Sequence, residues 1–158
     1  MLKRISLGLL IILVALQFFR PARNFSAGPS PNDIAAQPST PPEVRHLLET
    51  ACYDCHSNHT RYPWYAQVQP IGWGLAYHIR SGKRHLNFSE FAAYPAKRAA
   101  ARLDTAIDEV TDHGMPLFSY RLMHADARLT DEQIKRFTDW AEATRQRLLA
   151  PPTTPSAP

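Results

Sequence analysis

Cysteine is nearly absent from this 158-residue chain, with only Cys52 and Cys55 present. A small secreted domain stapled by disulfides carries more, and a finger-type zinc site needs a second cysteine pair. Charge of one sign is also lacking where it would matter. The formal net charge is +4, but Lys3, Arg4, Arg20 and Arg23 all flank the first apolar run. Beyond residue 23, fourteen basic residues face fourteen acidic ones. That balance leaves no electrostatic footprint for nucleic acid. No stretch sustains the alternation of a strand, so the expected fold is all-α. Two ordinary domains are excluded by length.

The apolar run itself is short. Ile5 to Phe19 spans 15 residues, interrupted only by Ser6 and Gln17, whereas a membrane-spanning helix takes ~20. Met1 to Arg4 before it is basic, and Arg20, Pro21 and Arg23 end it sharply, which is the tripartite grammar of an export signal. No pair of small residues stands where a peptidase would cut, because Gln17, Phe18 and Phe19 occupy that region. The leading expectation for residues 1–23 is therefore an uncleaved anchor in the bacterial inner membrane, with arginines snorkelling to the headgroups. A cleaved signal and a core helix are the alternatives. Six of the fourteen prolines fall between Pro21 and Pro42, and residues 24–42 read as a flexible linker of ~25 Å reach. Residues 43–149 hold four prolines and form the domain; 150–158 read as a disordered tail.

Within the domain, Thr40-Pro41-Pro42-Glu43 has the pattern of a helix start, and Val44, Leu47, Leu48 and Ala51 recur on one face. Ile71 to Ser81 predicts a helix ended by Gly82. Pro95 opens another through Leu103, Ile107 and Val110, stopped at His113-Gly114. Phe118 to His124 predicts a short helix. Thr130 with Gln133 caps a last one, with Ile134, Phe137, Trp140, Ala141 and Leu148 along one face. Aromatic residues from Tyr62 to Tyr77 read as core.

Cys52-Tyr53-Asp54-Cys55-His56 is the C-x-x-C-H signature of c-type haem attachment. Residues three apart share one side of a helical turn, so two thiols reach the two vinyl groups on one porphyrin edge while the next residue offers an imidazole to the iron. Two competing readings are weaker. A redox dithiol wants a strand before the motif, where this sequence has a helix. A zinc site would have to recruit Cys52, Cys55 and His59 with nothing to complete it.

The run Cys52 to Asn58, Tyr62-Pro63-Trp64-Tyr65, Pro70, His78, Gly82, Leu86-Asn87-Phe88-Ser89, Met115-Pro116, Tyr120, His124 and Trp140 resembles the bacterial haem-binding domain family, over roughly residues 44–145. The resemblance implies a small membrane-tethered c-type cytochrome domain: about four or five helices around one haem. Gly114-Met115-Pro116 ahead of a capped final helix is similar to the loop that supplies a methionine ligand in many cytochromes c. A thioether is a soft donor that favours ferrous iron, so Met115 is the expected distal ligand opposite His56. His78, His124 or an open site are the alternatives, with His85 and His113 further candidates. Met123 reads as packing. Arg61 and Arg80 are candidate partners for the haem propionates. Lys83, Arg84 and His85 with Lys97, Arg98 and Arg102 are a candidate docking face for an acidic redox partner. The leading expected function is an electron carrier in the periplasm rather than an enzyme. A haem-based gas or redox sensor and a small peroxidase, which would recruit His78 or His124, are the alternatives.

Overall fold

The computed structural model describes residues 1–151; the expected disordered tail lies outside the described residues from 152 onward. Among the described residues there are seven α-helices, four short 3-10 turns and no strand. Helix α1 (Leu2–Leu16) precedes the domain. Six helices then follow: α2 (Pro42–Ala51), α3 (Tyr53–His56), α4 (Ile71–His85), α5 (Ala96–Thr111), α6 (Phe118–Met123) and α7 (Asp131–Leu149). Because α3 is a single turn continuing α2, the count exceeds the expected four or five mainly by splitting one helix in two.

The long helices α5 and α7 pack along each other. Their contact stripe, Ala99, Leu103 and Val110 against Phe137, Trp140 and Ala141, is buried together with Val44 and Leu48 of α2. Leu48 and Leu103 are fully buried, and each such side chain contributes ~1.5–3 kcal/mol relative to an exposed one. Helix α7 starts as its sequence predicts: the Thr130 hydroxyl accepts from Gln133 N–H at 3.2 Å, and the Gln133 side chain accepts from Thr130 N–H at 2.9 Å.

Several expectations change. Thr40 does not cap α2; its hydroxyl donates to the Ile34 carbonyl at 2.6 Å, and Pro41 stands at the cap position. Helix α4 runs through Gly82 to His85. The aromatic residues after the motif are not core: Trp64 is 76% exposed and Tyr77 58%. Several instead clasp the N-terminal stretch, as when Trp73 Nε1 donates to the Phe19 carbonyl at 2.7 Å and the Tyr62 hydroxyl accepts from Asn24 N–H at 2.7 Å. Met123 is likewise exposed rather than packed.

A further change concerns residues 24–42, which are woven into the domain. Ile34 and Ala35 are buried, on a 3-10 turn (Ile34–Ala36) capped by the Asp33 carboxylate. Asn24 uses its whole polar complement: Nδ2 donates to the Ser57 carbonyl and the Thr60 hydroxyl, both at 2.9 Å, and Oδ1 accepts from Lys83 Nζ at 2.6 Å. Its carbonyl accepts from Thr60 N–H at 3.0 Å. One isoleucine and a set of satisfied turn residues outweigh the proline content that suggested a tether. Upstream, Gln17 donates to the Gln69 carbonyl (3.2 Å) and accepts from Gln69 N–H (2.9 Å). Helix α1 buries none of its residues. It is ~22 Å long against a hydrocarbon core of ~30 Å. No described helix is long and apolar enough to cross a membrane, so the expected spanning anchor is not supported.

Candidate functional site

The Cys52–His56 motif sits where α2, α3 and α4 meet, and the residues around it fix its position. Gly82 lets α4 approach: a Cβ there would lie 2.6 Å from the Cys55 carbonyl oxygen. The two residues between the cysteines each reach a different part of the chain. The Tyr53 hydroxyl donates to the Asp33 carboxylate. Asp54 is buried, and its carboxylate accepts from Arg61 N–H (3.0 Å), Arg61 Nε (3.2 Å) and the Tyr120 hydroxyl (2.7 Å). The Leu86-Asn87-Phe88-Ser89 segment closes the cradle. Asn87 Nδ2 donates to Asn58 Oδ1 (2.8 Å), the Ser89 hydroxyl accepts from Asn58 N–H (3.1 Å), and Phe88 stacks on Tyr53 at 5.7 Å.

The Leu86 carbonyl lies 2.8 Å from His56 Nδ1. A carbonyl only accepts, so Nδ1 carries the proton and the Nε2 lone pair is left free, the arrangement in which a histidine serves as a metal ligand. Burial, the main cause, pulls the His56 pKa below its usual 6.5 and favours the neutral ring. Burial also pushes the thiols up, Cys52 to about 12 and Cys55 to about 11, with Cys55 adding to the shift of Cys52 and Asp54 to that of Cys55. Thiols held protonated at neutral pH make a poor exchanging dithiol.

Cys52, Cys55, His56, Met115 and Pro116 all line one cavity of about 450 Å³, within the ~300–1,000 Å³ typical of small-molecule sites. Its wall is mostly apolar, with Leu47, Leu86, Phe88, Val110, Leu117, Leu129 and Phe137 among the lining residues. Met115 is held there by its N–H, which donates to the Glu109 carbonyl at 2.9 Å after α5 ends with His113 in the left-handed conformation (φ 58°).

The other candidates divide. His78 and His85 line the cavity on the exposed side of α4. His124 does not; it stacks on Tyr120 at 4.0 Å. His113 marks the end of α5, outside the lining. His59 packs beside Phe25, and among the described residues no three His, Cys, Asp or Glu side chains converge as a metal set, so the zinc reading loses its third ligand. Arg61 is committed to Asp54 and Arg80 is exposed; neither lines the cavity. Sequence reasoning missed the roles of Gly82, taken as a helix stop, and of Leu86, whose backbone oxygen carries no residue signature. It also missed Glu109.

A porphyrin needs an apolar slot, two thiols one turn apart and an imidazole with Nε2 free. The cavity supplies all of these, so the residues fit haem. No curated protein and no solved structure matches the chain. The family model described as "Haem-binding domain" matches residues 11–143, and on that match the chain belongs to the haem-binding domain family.

Proposed function

We propose that the chain is a mono-haem c-type cytochrome domain that relays electrons outside the cytoplasm. Cys52 and Cys55 would hold the macrocycle by thioether links, His56 Nε2 would be the proximal iron ligand, and Met115 Sδ the distal one. The observation that carries this reading is the meeting of all four residues in one apolar cavity, with His56 Nδ1 already spent on the Leu86 carbonyl. Bound haem supplies a one-electron iron couple. The protein's part is to hold the ring, exclude water with its apolar wall, and present a histidine and a thioether, a pair that raises the reduction potential. A methionine in the sixth position would favour a carrier over a peroxidase, which needs that position open. Location outside the cytoplasm, with redox proteins as partners, is supported by the basic start and apolar run of the N-terminus. We assign that run to export rather than to spanning.

The test is the full chain expressed with haem-attachment machinery. The red colour stays with the denatured polypeptide in acidified organic solvent, and a pyridine haemochrome assay gives one haem per chain. Ferrous protein resists carbon monoxide, while Met115→Ala binds it rapidly. Colour lost to the solvent removes covalent attachment. Equal carbon monoxide binding by wild type and Met115→Ala removes the methionine ligand and with it the closed carrier.

A further inference from the structure

The cavity is polarised in charge along α5. Arg102, Thr105, Ala106, Glu109 and Val110 line it, spaced so that Arg102 and Glu109 stand two turns, ~10 Å, apart along the helix. Glu109 lies at the end that holds Met115. Arg102 lies at the other, and it is the one lysine or arginine in the lining, as Glu109 is the one carboxylate. Two contacts pre-set the arginine. Its Nη1 donates to the Arg84 carbonyl at 2.9 Å, and its guanidinium sits 5.1 Å from the centre of the Tyr94 ring. Its Nε and Nη2 have no hydrogen-bond partner within the protein among the described residues. A half-buried guanidinium with one flank anchored and the rest of its donor fork open is suited to a carboxylate, which it can bind bidentately.

Haem is an apolar plate with two propionate carboxylates on one edge. A carboxylate enclosed by apolar wall without a partner is costly, and the Glu109 end would add repulsion. We propose that Arg102 binds a haem propionate, an inference that rests on the haem-binding reading above. The role passes from Arg61 and Arg80 to a residue whose sequence neighbourhood suggested only a surface patch.

The experiment uses the full chain purified without haem, titrated with haemin and with haemin dimethyl ester, in which both propionates are neutral. Wild type binds haemin roughly tenfold more tightly than the diester, the size of one charge-assisted hydrogen-bond pair. In Arg102→Leu the preference falls to within about twofold while diester affinity is kept, which also reports an intact fold. Arg102→Lys recovers part of the preference. Arg98→Leu, which removes the other guanidinium over Tyr94 without touching the cavity lining, leaves it as in wild type. An undiminished preference in Arg102→Leu overturns the assignment and leaves the cavity reading standing. If neither porphyrin binds wild type, the propionate assignment falls, and the haem reading stands or falls on the covalent-attachment test above.

Discussion

Around Cys52 to Asn58, side-chain polar groups find partners in distant parts of the chain: Tyr53 in Asp33, Asp54 in Arg61 and Tyr120, Asn58 in Asn87 and Glu90. The opposite wall is different. From His113 to Leu117 the bonds are local: His113 N–H donates to the Val110 carbonyl at 3.2 Å, and Met115 N–H to the Glu109 carbonyl. The Leu117 carbonyl accepts from Tyr120 and Arg121 N–H at 3.0 Å, and Arg121 reaches back to the His113 carbonyl at 3.4 Å. Next to it, the exposed face of α6 carries Phe118, Leu122 and Met123. Exposed apolar side chains and bonds confined to near neighbours mark the segments that open most readily. The wall that carries the Cys52–Asn58 segment is thus tied by side chains to other parts of the chain, and the Met115 wall mainly by local bonds.

Substitutions sharpen that contrast. Asp54→Ala should have the largest effect, because it removes the 2.7 Å bond from the Tyr120 hydroxyl and leaves that hydroxyl only the longer contact to the Thr50 carbonyl at 3.5 Å. Arg61 is 59% exposed and regains water, so the loss is about 2–3 kcal/mol rather than the ~3–5 of a fully buried pair, read as a lower urea midpoint. An unchanged midpoint would mean that the bond contributes nothing.

The second effect is pH dependence in the haem-free protein. Burial lowers the folded pKa of His56 below 6.5, so below that pH the unfolded chain binds the extra proton more readily. Stability present above about 6.5 is lost as pH falls toward the folded value. Urea midpoints measured from pH 7.5 down to 5 should therefore drop, and His56→Gln should flatten that part of the slope. If the slope survives, another group causes it.

The smallest effect falls on the other wall. His113 stands in the left-handed region at φ 58°, where an L side chain costs ~1–2 kcal/mol. Glycine relieves that, less the ~0.4–1 kcal/mol it adds to the freedom of the unfolded chain. His113→Gly should raise thermal stability by about 0.5 kcal/mol, and a decrease would show that the imidazole itself supports the Met115 loop.

Much of this was legible in the residues. The all-helical fold, the α7 capping box and the α2 core face follow from periodicity and cap chemistry. The C-x-x-C-H spacing pointed to the cavity, and Met115-Pro116 to its far side. The misreadings share a cause: the signal lay in contacts between distant segments. Gly82 looks like a stop until its distance to the Cys55 carbonyl is known, and proline density hides the buried Ile34 and Ala35. The Asp33 cap ahead of Ile34-Ala35-Ala36 was the one local hint that the stretch is ordered. The exposed tryptophans show that aromatic content is no measure of core when a segment lies on the surface.

The involvement of Asn24 and Asp33 with the motif bears on how the protein can be dissected. A fragment begun at residue 43, where the first long amphipathic helix invites a cut, would strip Tyr53 of its acceptor and Lys83 of its amide partner. It would also open the floor that Ile34 closes. The smallest piece that keeps the Cys52–His56 turn intact therefore starts no later than Asn24.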